Sequence, residues 1–193
     1  AEAVRLGMLR AFDEGCEVTG YWDADLATSL DEVPRLLNVL RASDEVLVAM
    51  GSRVRLMGTS IQRNPLRHYA GRSFATVASS MLGMSVYDTQ CGAKLLRTCD
   101  PVRQALQSPF VSRWIFDVQL LARVVIHAGS SEVIREVPVH AWEDVAGSKL
   151  RPIHVASALL ELRKMRGELG QARRISQVAR AKTISDTPSG RSR

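Results

Sequence analysis

The sequence predicts an α/β fold, with a mixed, mostly parallel sheet flanked by helices. Three observations carry that prediction. An apolar helix, a β-branched strand, a second apolar helix and a second strand follow one another from residue 1 to residue 50, and alternation at these lengths builds layered sheets with parallel strands. Val46-Leu47-Val48-Ala49-Met50 is a continuous apolar run, the mark of a strand buried on both faces. Both strands run out into polar segments, Asp23-Ala24-Asp25 and Gly51-Ser52-Arg53, and sheets of this kind gather ligands at the carboxyl ends of their strands.

Taken in order, Val4, Leu6, Met8, Leu9 and Phe12 make a helix that ends near Gly15. A strand from about residue 17 to Trp22 delivers Asp23 and Asp25 to one place, because residues two apart on a strand point the same way. Two bare carboxylates that close repel each other unless a cation lies between them. Mg²⁺ or Mn²⁺ fits, being hard, oxygen-seeking and commonly held by one or two carboxylates plus substrate phosphates. The plain alternative is a surface loop whose acids cap the next helix. That helix, Asp31 to about Ala42, places Val33, Leu36, Leu37 and Leu40 at helical spacing. Residues 54–63 read as a loop, and Arg63, Arg67 and Arg72 open a long helix to about Met84. A polar cluster from Tyr87 to Gly92 runs into an apolar strand, and Asp100-Pro101 is expected to cap another helix, with Pro at a first-turn position. Asp117 begins an apolar helix amid aromatic residues, either as a charge favoured by the helix dipole or as a desolvated, reactive carboxylate. Residues 133–142 alternate like one strand, a polar loop holds Gly147-Ser148-Lys149, and a final helix starts at Pro152.

With 193 residues, 46% of them apolar, the chain makes one domain with a real core. The net charge of +6 is local: from Arg151 onward there are ten Lys or Arg against three acids, leaving the body nearly neutral. Residues 170–193 are accordingly expected to form a basic, largely disordered tail, beyond a domain of residues 1–169. Three cysteines without ligand spacing suggest a reduced, cytoplasmic setting, and no apolar run approaches the length of about 18 residues that spans a bilayer.

Six segments in this order resemble the inverting family 2 glycosyltransferases of GT-A (Rossmann-like) fold, most closely the dolichyl-phosphate β-glucosyltransferase and polyprenyl-phosphate sugar synthase branch. They are residues 3–8, Asp23-Ala24-Asp25-Leu26-Ala27-Thr28, Gly51-Ser52-Arg53, Asp88-Thr89-Gln90-Cys91-Gly92-Ala93-Lys94-Leu95-Leu96, Arg113-Trp114-Ile115-Phe116-Asp117-Val118, and Trp142 with Gly147-Ser148-Lys149-Leu150. The resemblance implies a metal at Asp23 and Asp25, bridging the diphosphate of a UDP-glucose-like donor. It implies a polyprenyl or dolichyl phosphate acceptor and inversion at the anomeric carbon. Asp117, with Asp88 as the alternative, would orient the acceptor or the sugar hydroxyls. Arg53, Arg63, Gln90, Lys94, Arg113, Trp142, Ser148 and Lys149 are the candidate substrate contacts.

Relatives begin with a strand and a Pro-x-Tyr-Asn-Glu-like segment at the nucleotide base, whereas this chain opens in the helix thereafter. The expectation is therefore a truncated GT-A domain with an exposed sheet edge that favours a homo-oligomer. The alternative function is a catalytically inactive remnant that binds a partner or a membrane surface. The basic C-terminal end favours peripheral contact at the cytoplasmic face of a membrane. It lacks the aromatic residues that a nucleic-acid binder stacks on bases.

Overall fold

A computed structural model describes residues 1–62, 76–143 and 160–186. Helix α1 (Glu2–Asp13) leads into β1 (Val18–Trp22); α2 (Val33–Ala42) leads into β2 (Val48–Ser52). A short β3 (Ser60–Gln62) lies where a loop is expected from sequence. Residues 76–82 are helical (α3), followed by β4 (Ala93–Arg97), α4 (Asp100–Ala105), α5 (Phe116–Ala128), β5 (Ile134–Pro138) and β6 (Ala141–Glu143). Helical residues 160–164 (α6) and α7 (Arg166–Asp186) complete the described chain. Asp100 lies in the first turn of α4 rather than capping it; Cys99 is the cap residue.

The main sheet has the order β1-β4-β2-β5. Strand β4 pairs antiparallel with both β1 and β2, and β2 pairs parallel with β5. Three strands thus share one direction, with β4 inserted against them, giving the mixed, mostly parallel sheet of a Rossmann-like GT-A fold. Alternation sorts the side chains into two layers. Val48, Met50 and Leu96 face the larger core, built with Met8 of α1, Val102 of α4, Leu121 and Val125 of α5, and Leu162, Met165 and Leu169 of α6–α7. Ala49 and Leu95 face the other way, onto Leu36 and Leu40 of α2.

Two expectations change. The single strand foreseen over residues 133–142 is two. Pro138 ends the pairing of β5 with β2, and β6 pairs parallel with β3 in a separate two-stranded sheet. The stretch foreseen as a disordered tail from residue 170 continues as α7 to Asp186. Leu162, Met165, Leu169, Ala172 and Ser176 are buried at alternating steps of three and four, the narrow seam that lets a helix pack along a neighbour. That seam lies on α5. The arginines that make this segment look unfolded in composition, Arg173 and Arg174, are exposed. Among the described residues no helix is long and apolar enough to cross a membrane.

Candidate active site

Topology brings four polar segments to one edge of the sheet. Asp23 follows β1, Arg53 follows β2, His140 follows β5, and residues 88–92 precede the antiparallel β4. The amide of Asp23 donates to the Gly92 carbonyl at 2.8 Å, which carries the β1–β4 pairing one step past Trp22 and Ala93. A Cβ on Gly92 would overlap the Asp23 carboxylate, so only glycine lets the acid lie flat on this backbone. Past Asp23 the strand gives way to a turn: Leu26 donates its amide to the Asp23 carbonyl at 3.0 Å and adopts a φ of 52°. Left-handed backbone is uncommon for a side chain of this size, and such strain collects at functional sites. The turn, rather than strand alternation, is therefore what sets Asp25 beside Asp23.

Asp23 retains accessible surface, yet the protein packed around it desolvates its carboxyl. That burial, then the charges of Asp25 and Asp117, push its pKa up, with Lys94 and Arg53 acting in the opposite sense. Its carboxylate accepts no hydrogen bond among the described residues, and Asp25 uses one oxygen on the Ala27 amide at 3.1 Å. Two adjacent, under-bonded carboxylates fit Mg²⁺ or Mn²⁺ that completes its shell with phosphate and water. They do not fit a closed structural site, and no group of three or more His, Cys, Asp or Glu among the described residues is arranged for one.

The raised pKa has a consequence for stability. Between the ordinary aspartate value of 3.8 and the raised one, the folded chain binds more protons than the unfolded chain. The stability from this group is thus complete below 3.8 and lost as pH rises through the folded pKa. Metal-free Asp23→Asn should therefore melt above the parent near neutral pH, with the gap closing towards about pH 4. Paired thermal melts check this; a parent that melts higher at neutrality would contradict it.

Asp117 sits in the first turn of α5 and is buried. Its Oδ1 accepts from the Tyr21 hydroxyl and from Lys94 Nζ, the latter at 2.5 Å. Lys94 is wholly buried and also donates to the Cys91 carbonyl at 2.5 Å. Register explains the meeting, because Tyr21 stands directly opposite Lys94 on the β1–β4 ladder, and directly opposed residues share a face. Burial, then the Asp117 charge and hydrogen bond, raise the Tyr21 pKa well above its ordinary value and keep it a donor. Lys94, a candidate substrate contact from sequence, thus has its ammonium buried and bonded to Asp117 and the Cys91 carbonyl.

Arg53 and Asp88, expected to meet substrate separately, meet each other. Arg53 donates to the two Asp88 oxygens at 2.6 and 2.7 Å, and its amide adds a third bond at 3.1 Å. Burial works against the Arg53 charge, but the bonds to Asp88 outweigh it and hold its pKa above the ordinary range. Glu136 of β5 fixes the Tyr87 and Asp88 amides, both at 2.8 Å. The guanidinium lies 5.3 Å from the Trp142 ring, within range of a cation–π contact. Trp142 bridges to Thr28 beyond the aspartate turn, so β6 closes one side of the same cleft. Among the described residues, Ser52 Oγ, Thr89 Oγ1 and Gln90 Nε2 are buried here without hydrogen-bond partners. Orphaned polar atoms of this kind mark places where a water or ligand belongs.

No protein-family model matches the chain. Curated proteins do. The chain is 34% identical over 133 residues to the dolichyl-phosphate beta-glucosyltransferase ALG5C of Trichomonas vaginalis, covering 67% of this chain and 38% of that protein. It is 34% identical over 155 residues to each of the dolichyl-phosphate beta-glucosyltransferases of Mus musculus and Homo sapiens, covering 78% of this chain and 45% of theirs. These matches support a family 2 glycosyltransferase of the dolichyl-phosphate β-glucosyltransferase branch. It spans less than half the length of these relatives.

Against that family assignment, the fold gathers Asp23, Asp25, Arg53, Asp88, Gln90, Lys94, Asp117 and Trp142 at one sheet edge. Arg113 is exposed in the turn before α5, and Arg63, Ser148 and Lys149 lie outside the described residues. Sequence reasoning missed Tyr21 and Glu136. The alternation applied to Asp23 and Asp25 extends back one step to Tyr21, so that residue was within reach; Glu136 depends on register across β5 and was not. A cavity lined by Gly83, Ser131, Ile134, Glu136 and Ser176 lies along β5 and meets the site only through Glu136.

Proposed function

We propose that this chain forms the metal–diphosphate side of a glucosyltransferase site that moves glucose from a nucleotide sugar, UDP-glucose, to dolichyl phosphate or a related polyprenyl phosphate. The observation that carries the reading is the Asp23–Asp25 turn over Gly92, with its unbonded carboxylate, in a chain whose relatives are named dolichyl-phosphate beta-glucosyltransferases. In the transfer, a phosphate oxygen of the acceptor bonds to the anomeric carbon. The bond from that carbon to the nucleoside diphosphate breaks on the opposite face, so the β-linked lipid phosphate and free diphosphate leave. Asp23 and Asp25 would hold Mg²⁺ or Mn²⁺, which when bound offsets the negative charge that collects on the leaving group.

The acceptor brings its own nucleophile. A phosphate with its second pKa near 6 is mostly ionised at neutrality, so no strong base is required of the protein. Asp117 then acts as a fixed carboxylate. Tyr21 and Lys94 occupy Oδ1, and Oδ2 is left to orient a sugar or acceptor group.

The test is transfer itself. The chain is incubated with UDP-glucose labelled in the sugar, a short polyprenyl phosphate and Mn²⁺. Label is expected to pass into the lipid extract, and to stay behind with a chelator or with Asp25→Ala. A folded sample that binds UDP-glucose yet yields no lipid product would refute transfer by this chain.

A second reading is favoured by the edge of the sheet. Strand β1 pairs only with β4 among the described residues, and an open edge is a template for another strand. Sedimentation velocity should then show a concentration-dependent dimer; a monomer at every concentration would exclude pairing with a second copy.

A further inference from the structure

The turn before α5 and the short α6 are tied together at the rim of the cleft. Ser112 is buried; its hydroxyl donates to Glu161 of α6, and its oxygen accepts from the amides of Trp114 and Ile115 at 3.1 and 2.8 Å. That tie sets residues 111–114 beside residues 160–164. Around it Val111, Trp114 and Leu160 are 51%, 41% and 63% exposed. Arg113, Arg163 and Lys164 are exposed cations.

The acids of this region face inward. Glu161 is taken by Ser112, and Glu168 by Gln119 at 2.9 Å and Arg123 at 3.2 Å. None of the three outward cations has an ion-pair partner among the described residues. Partly exposed apolar side chains on the same two tied segments as these cations match the two layers of a bilayer interface. Aliphatic groups enter the headgroup–acyl boundary, tryptophan prefers that level, and Lys or Arg meets anionic headgroups. A single-stranded nucleic acid would instead call for several stacking rings along a basic groove.

We propose that the turn at residues 111–114 and α6 form a docking surface for an anionic lipid bilayer. Trp114 stands three residues before Asp117, so a leaflet seated there lies against the mouth of the cleft. The inference deepens the proposed function and rests on it in one respect, that the acceptor is carried in the lipid phase. It moves the expected membrane contact from the basic chain end to the rim of the site itself.

The test uses the full chain with vesicles of phosphatidylcholine, alone or mixed with phosphatidylserine, and with no polyprenyl phosphate or nucleotide present. Co-sedimentation with the mixed vesicles and a blue-shifted tryptophan emission are expected, with little binding to phosphatidylcholine alone. Arg163→Glu/Lys164→Glu should weaken partitioning on the order of tenfold or more, whereas Arg173→Glu/Arg174→Glu, farther along α7, should change it by about twofold at most. Trp114→Ala should remove most of the emission shift. Equal losses from the two charge-reversed pairs would reduce the effect to diffuse charge and overturn the proposal. So would binding that ignores phosphatidylserine, or no vesicle binding by a folded parent chain. Because donor and acceptor are both absent, failure here leaves glucosyl transfer untouched, and failure of transfer leaves this measurement intact.

Discussion

Replacing Lys94 by methionine should cost the fold about 3–5 kcal/mol, the penalty for breaking a buried pair from one side. Asp117 would keep a buried charge with only the Tyr21 hydroxyl to answer it. The Cys91 carbonyl would lose its ammonium donor, although methionine fills much of the vacated volume. At about 2–4 °C per kcal/mol for a chain of this size, the melting temperature should fall by roughly 10 °C. The double variant Lys94→Met/Asp117→Asn separates charge from packing, since it removes both ions and should recover a large part of the loss. Thermal melts of the three proteins check the argument. A double variant no more stable than the single one would mean that Lys94 matters through shape and not through its partner.

Gly92→Ala should do the opposite: spare the fold and empty the site. The backbone at residue 92 has no left-handed φ, so alanine fits the chain. Its methyl group instead takes the volume of the Asp23 carboxylate, and that side chain must rotate away from Asp25. Displacing one ligand of a two-carboxylate site should weaken Mn²⁺ binding in the presence of UDP by about 10–100-fold, the range seen when the supports of a metal ligand are disturbed. The free Mn²⁺ signal in electron paramagnetic resonance reads this directly. Mn²⁺ affinity unchanged from the parent would show that Asp23 does not need its seat on Gly92, and would count against the metal assignment.

How much of this was legible without coordinates depended on distance along the chain. Local patterns read well: the apolar spacing of α2, the aromatic-flanked start of α5 and the acids after β1 all stand where the residues place them. Direction did not read. Nothing in Ala93-Lys94-Leu95-Leu96-Arg97 says that β4 runs against its neighbours, because an apolar run looks the same in both senses. Charge pairing did not read either. Lys94 and Asp117 lie 23 residues apart, and only the β1–β4 register and the placement of α5 make them partners. The α7 seam was readable and was masked by composition: the steps of three and four from Leu162 to Ser176 were present, under a surface of arginines that suggested disorder. Tyr21 shows the same limit from the other side, since its alternation was visible while its acceptor was not.

The most direct test of the account is calorimetric titration of UDP-glucose into the chain, with and without Mn²⁺, for the parent and for Asp25→Ala. Heat is expected only when Mn²⁺ is present, with competition by UDP and no binding by the variant. Equal binding without Mn²⁺, binding retained by Asp25→Ala, or none by a folded parent would contradict the claim that Asp23 and Asp25 form the cation–diphosphate seat of a glucosyltransferase.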